Sequence, residues 1–324
     1  EILQRDVERI TVARSSSELC SMGAAAITTT GFNLDRKRMS DLLGFAAPLE
    51  NSYGCISSVD YVTGLYSALK VMFLNMGRFI QDLAQRSAFE VGHIYVPNEF
   101  VQISSIMPQK RNPVPIEHMR LIASLSSGHC DTIINTMHNT PFTDMNDSET
   151  EVQRAGHQAF ESGSRLLLLL TDFINVVQID EEKVMKDIGK SCATITEVAD
   201  SIARIEGVSF KIAHEIAGDM AKRVTADEIT LEDFVYKEFQ DIYRDHTGME
   251  TNITIEKLKE IGSPDYFIAV RKIIGGPALP AFEASLEKYC NIALKQSDEN
   301  LTFSRRLIFA RELLTAAVKK LRVK

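Results

Sequence analysis

No tryptophan occurs in these 324 residues, and prolines (9), glycines (17) and cysteines (5) are sparse. So few breakers leave long stretches free to run as helix, and runs with strand character are hard to find. The cysteines, at 20, 55, 130, 192 and 290, are odd in number, far apart and without a CxxC pair. They read as reduced thiols of a cytoplasmic protein, not as a disulfide framework. The seven histidines show no HxH or HExxH spacing, so no metal site is expected. A surplus of positive charge is lacking too: 36 Lys and Arg stand against 44 Asp and Glu, a net charge of −8. With no basic stripe, nucleic acid is not an expected partner. The longest purely aliphatic run, Leu166 to Leu170, is far too short to span a bilayer, so no membrane partner is expected. The chain opens without methionine or signal peptide in what reads as mid-helix, and is expected to be a piece of something longer.

What is present is the composition of a large-cored globular protein, 44% hydrophobic and 25% charged, of a length that suggests about two domains. Val62, Leu65, Leu69, Met72, Met76, Ile80 and Leu83 recur at spacings of three and four, predicting one long helix from about Ser58 to Val91. A second is predicted from Pro113 to Met137, with Ile116, Met119, Ile122, Leu125, Ile133 and Met137 apolar. A third should run from Ser148 to Val177, its RLLLLLTDFINVV end buried all round. Helices this long imply a bundle. Beyond Gln178 shorter amphipathic helices follow, at about Thr194–Glu206, Ser209–Arg223, Leu231–His246 and Ile255–Glu260, with Asp227 and Thr254 as candidate caps. A last helix is expected from Asp298 to Lys324. The fold expected is all-α: a central long-helix bundle over 1–188 and a smaller helical domain over 189–324.

One string breaks the pattern. SSIMPQKRNP, residues 104–113, sets two hydroxyls, a lysine, an arginine and an asparagine within a stretch that has no apolar period. On composition alone such residues more often make a solvated surface loop. Asn112 followed by Pro113, however, reads as an N-cap and first-turn proline at the head of the second long helix. Amide groups and the positive end of a helix dipole collect there, and Lys110 and Arg111 add formal charge. The place suits a carboxylate, or a carbanion delocalised into one, and favours ionisation of a serine hydroxyl. Proton abstraction beside a carboxylate is the chemistry suggested, with Lys110 holding the developing charge.

The string resembles the signature loop of the fumarase/aspartase superfamily, GSSxMPxKxNxxxxE, with Ser104, Ser105, Met107, Pro108, Lys110, Asn112 and Glu117 at the matching places. The MPQK wording looks most like argininosuccinate lyases. So do LLGFAAPLENSYG at 42–54, TITEVADSIARIEGVSFKIAHEIAG at 194–218, and the glycine pair Gly275-Gly276; the likeness covers about residues 1–280. It implies an all-α homotetramer with active sites shared between subunits. The implied reaction eliminates fumarate from a small N-substituted aspartate without a cofactor. In that reading Ser104 is the general base, Lys110 and Asn112 stabilise the aci-carboxylate intermediate, and Glu117 orients a histidine that serves as acid. Ser105 and Met107 would contact substrate. Asn146 and Glu149, in the acidic stretch FTDMNDSETE, stand where the family recognises the distal arm of the substrate. Departures are Ile103 for the glycine before the serines, and Gly54 and Val59 for an aspartate and an arginine ahead of the long helix. The family segments carrying the acid histidine and the other substrate clamps have no counterpart, so the chain is expected to hold part of a site. A lyase for another aminocarboxylate, such as ethylenediamine-disuccinate, and a non-catalytic structural relative are the alternatives.

Overall fold

The computed structural model describes residues 1–145 and 150–322. It is all-α apart from three two-stranded pairings among the described residues. The chain divides into two compact units: Glu1–Ala88 with Val96–Val177 and the residues from Tyr289 on, and Phe89–Tyr95 with Gln178–Lys288.

The first unit opens with α1 (Ile2–Ser17). Its fully buried Asp6 carboxylate accepts from the Arg9 guanidinium in an ion pair and, with both oxygens, from the Asn75 amide at 3.1 and 3.0 Å. A short parallel pairing of β1 (Leu19–Cys20) with β2 (Ala47–Pro48) brackets α2 (Arg36–Leu43), which Asp35 caps by accepting from the Arg38 N–H at 2.9 Å. After the single turn α3 (Gly54–Ser57) comes α4 (Asp60–Ser87), which buries Leu69, Met72, Met76, Ile80 and Leu83 of the predicted stripe and leaves Val62 and Leu65 half-buried. The chain leaves this unit for β3 (Ile94–Tyr95) and returns to form the hairpin β4 (Gln102–Ile103) and β5 (Arg111–Asn112). Then follow α5 (Val114–Met137) and α6 (Thr150–Val176).

Helices α4, α5 and α6 pack side by side, α5 antiparallel to both neighbours. Two glycines of α6 receive aromatic rings of α4: a Cβ at Gly156 would overlap the Tyr66 hydroxyl, and one at Gly163 the Phe73 ring. Burying each large aliphatic side chain along these seams contributes about 1.5–3 kcal/mol. The expectation that the end of α6 is buried all round is corrected. Leu166, Leu170 and Phe173 are buried, but Leu167 is 42% and Leu168 68% exposed, because α6 meets its neighbours along one face only. Leu125, among the apolar residues read on α5, is likewise 49% exposed.

The second unit pairs β3 with β6 (Gln178–Ile179), then runs through α7 (Glu181–Lys190), α8 (Ile195–Glu206), α9 (Phe210–Ala226), α10 (Tyr236–Thr247), α11 (Ile255–Gly262) and the short α12 (Pro264–Ala269). Ser209 and Thr254 cap α9 and α11 through their side chains. Asp227 does not start a helix; it follows the end of α9. Helix α10 begins five residues later than Leu231, because Thr230 and Asp233 tie a turn ahead of it and Leu231 and Phe234 are spent in the core. Glu197, almost fully buried, is held by Arg204, by Ser201 at 3.0 Å and by Arg271 at 2.9 Å. The final helix, α13 (Leu279–Arg322), starts well before Asp298. Past Pro280 no proline or glycine interrupts it, so the polar stretch around Asp298 is exposed surface and not a break.

Candidate active site

The motif at 104–113 forms the hairpin that leads into α5. Gln102 pairs with Asn112 and Ile103 with Arg111, so Ser104 through Lys110 make the connecting loop. Inside it the Ser104 hydroxyl oxygen accepts from the Ile106 N–H at 3.2 Å and from the Met107 N–H at 3.0 Å. The Lys110 N–H then donates to the Met107 carbonyl at 3.0 Å and closes the far side of the turn. Serine is suited to this place because its short side chain reaches back to the backbone amides that follow it. Two N–H donors on one oxygen also favour its ionised form over the neutral hydroxyl.

Ser104 is half-buried, while Ser105, Met107 and Lys110 are exposed. The loop therefore presents a hydroxyl, a thioether and an ammonium to whatever approaches it. Asn112 is not the N-cap of α5: Pro113 takes that position, and the Asn112 amide nitrogen instead donates across the hairpin to the Gln102 carbonyl at 3.2 Å. Strand pairing with a residue ten positions upstream is invisible to a local reading of Asn-Pro. Pro115 lies in the first turn of α5, and so does Glu117, which is exposed one turn past the hairpin. Asn146 and Glu149 lie outside the described residues.

The sequence read Arg111, between Lys110 and Asn112, only as added positive charge, and its contacts were not foreseen. Its guanidinium donates to the Val96 carbonyl at 2.7 Å and to the Asn98 side-chain oxygen. The available signal was Pro97-Asn98, a turn-forming pair placed ahead of the motif. Among the described residues no three His, Cys, Asp or Glu side chains gather as a metal ligand set, and no helix is long and apolar enough to cross a membrane.

Residues 1–126, which contain the hairpin loop, match the family model described as lyase, and residues 192–269 match that of the argininosuccinate lyase C-terminal region. Argininosuccinate lyase 2 of Agrobacterium fabrum is 52% identical over 305 residues, 90% of this chain and 60% of that protein. Argininosuccinate lyase of Methanococcus maripaludis strain C5 is 28% identical over 304 residues, 92% of this chain and 60% of its own length. Among solved structures, EDDS lyase in complex with formate superposes with a TM-score of 0.88 at 23% identity, over 98% of this chain and 63% of that one. Class II fumarase of Schistosoma mansoni gives 0.61 at 16% identity, over 81% and 55%. At those identities the structures speak for the fold alone. The chain belongs to the fumarase/aspartase superfamily. Within it the likeness is to argininosuccinate lyases, and the chain spans about 60% of the length of the curated relatives it matches.

Proposed function

We propose that this chain is part of a carbon–nitrogen lyase that eliminates fumarate from an N-substituted aspartate, argininosuccinate or a close analogue. The observation that carries the reading is the double amide donation to Ser104 Oγ on a loop that also bears Lys110. Ser104, as the oxyanion, removes a proton from the carbon next to a substrate carboxylate. The electron pair passes into that carboxylate, giving an aci-carboxylate with two negative charges on neighbouring oxygens. Lys110 and the Asn112 amide hold those charges, and stabilising charge that develops only along the reaction is what accelerates it. The pair then returns, the carbon–nitrogen bond breaks, the amine leaves with a proton from the acid, and fumarate remains. Glu117 orients the histidine that delivers this proton, and Ser105 and Met107 border the substrate carboxylate. Asn146 and Glu149 are proposed to meet its distal, amine-bearing arm.

A homotetramer with shared sites is supported by the length of α5. The loop precedes its first turn and the described residues up to Met145 follow its last, and 24 residues of helix hold its two ends about 36 Å apart. One small substrate reaches both only where two copies meet. Exposed apolar residues on the long helices, Leu121, Leu125, Phe160 and Leu168 among them, supply surface for such a meeting. Five free cysteines support a cytoplasmic setting.

The test is fumarate release by the complete protein, read from the ultraviolet absorbance of the new double bond. Ser104→Ala is expected to lower turnover by about 10²–10⁴-fold, the usual contribution of a general base, with the helical circular dichroism unchanged. Near-parental turnover in that variant overturns the assignment.

A further inference from the structure

We propose that Arg111 is a positioning residue: its guanidinium bolts the catalytic hairpin to the Val96–Asn98 shelf and so sets where Lys110 and Asn112 stand. The shelf is rigid for local reasons. Val96 is buried, Pro97 fixes its own φ, and residues Asn98–Phe100 close a 3-10 turn through the Phe100 N–H to the Pro97 carbonyl at 2.9 Å. Arg111 forks onto both sides of that proline, to the Val96 carbonyl at 2.7 Å and to the Asn98 side-chain oxygen. A planar guanidinium with paired donors fits two acceptors so placed, whereas an ammonium is a single point charge.

The consequence follows from strand geometry. Successive side chains of a strand leave from opposite faces, so Arg111 and Asn112 do not share the shelf: Arg111 reaches it, while the Asn112 amide reaches across the hairpin to the Gln102 carbonyl. Lys110 comes immediately before the strand. The residue between the two charge-holding groups thus takes up the reaction force of the turn without touching substrate itself. The loop's own ties, from Ser104 to the amides of Ile106 and Met107 and from the Lys110 N–H to Met107, fix its shape. The Arg111 fork ties that shape to the shelf.

The kinetic side of this role rests on the lyase reading above; the mechanical side does not. Amide hydrogen exchange on the 324-residue chain reads the mechanical side. Arg111→Lys and Asn98→Ala are each expected to speed exchange of the Lys110 and Asn112 amides at least tenfold, with exchange in the middle of α5 unchanged. Asn98→Asp, which keeps an acceptor oxygen, should hold the parental rate. In the complete enzyme Arg111→Lys and Asn98→Ala should lower kcat by about 10²-fold, the cost of misplacing a reacting group by an ångström, with KM shifted far less. Unchanged exchange at 110–112 overturns the role outright. Faster exchange with unchanged kcat, in an enzyme that does release fumarate, overturns its catalytic relevance. If the parent releases no fumarate, the lyase reading fails and the exchange result still decides the pin.

Discussion

Replacing Gly276 by alanine adds one methyl group where the backbone itself stands in the way. Gly275 turns the chain with φ +84, and the Gly276 N–H donates to the Ile273 carbonyl at 2.8 Å. A Cβ at 276 would overlap the Arg271 carbonyl oxygen, and would stand 2.9 Å from its carbon and 3.0 Å from the Ile273 oxygen. No rotamer relieves a clash with main chain, so the turn must open. Opening it also strains the Ala278 N–H bond to Arg271, at 3.3 Å, and disturbs the arginine that holds buried Glu197. Overpacking costs about 1–3 kcal/mol and each lost backbone bond about 0.5–1.5, while the stiffer unfolded chain returns about 0.4–1. We expect Gly276→Ala to destabilise by about 2–4 kcal/mol, within those terms. Gly218, inside α9 with nothing within 4 Å of its Cβ position, is the control. There alanine should stabilise by about 0.5–1 kcal/mol, its advantage in a helix. Urea unfolding followed by circular dichroism gives both, as opposite shifts of midpoint at unchanged slope. A midpoint for Gly276→Ala at or above the parent refutes the steric argument.

Three further outcomes follow. The Lys183 ammonium and, after it, His93 hold the Asp187 carboxyl below its ordinary range, so its stabilisation is complete above that range and lost as pH falls through the depressed value. Asp187→Asn should therefore flatten the loss of stability below about pH 4, measured as urea midpoints against pH. Burial, then the charge of Asp131, pushes the Cys130 thiol up to about 11 against the pull of Lys70. At pH 8 an alkylating reagent should leave it unmodified in the folded protein and label it in urea, by mass spectrometry. Lys110→Met in the complete enzyme should abolish most turnover while a bound dicarboxylate is also weakened, a joint loss of kcat and affinity seen in steady-state kinetics.

The three long helices were legible because their apolar spacing is a local property that packing merely reads: the stripe from Leu69 to Leu83 is buried as spaced. The motif at 104–113 stood out for the same reason, its residue types being contiguous. Its conformation was not, because Asn112 answers to Gln102 and Arg111 to Val96, and neither partner can be inferred from neighbours in sequence. The start of α10 was misplaced because a Thr230–Asp233 turn competes with helix where both readings look amphipathic. The length of α13 was underestimated because a polar stretch on an exposed helix resembles a linker. The exposed side of α6 was misjudged because hydrophobicity reports a wish to be covered and not what covers it.

Tyr66 and Phe73 are seven residues apart on α4, and the glycines that receive them, Gly156 and Gly163, are seven apart on α6. Seven residues are two turns, so both rings seat together at one offset between these parallel helices and at no offset a turn away. The pair acts as a gauge on insertion and deletion. One residue added between the two rings rotates Phe73 by about 100° and unseats it, whatever the rest of the helix does. A matching insertion between the glycines does not repair it, since ring and socket would each turn by about 100° in the same sense about separate axes and would no longer face one another. Between these two contacts the helices can change in sequence but not in length.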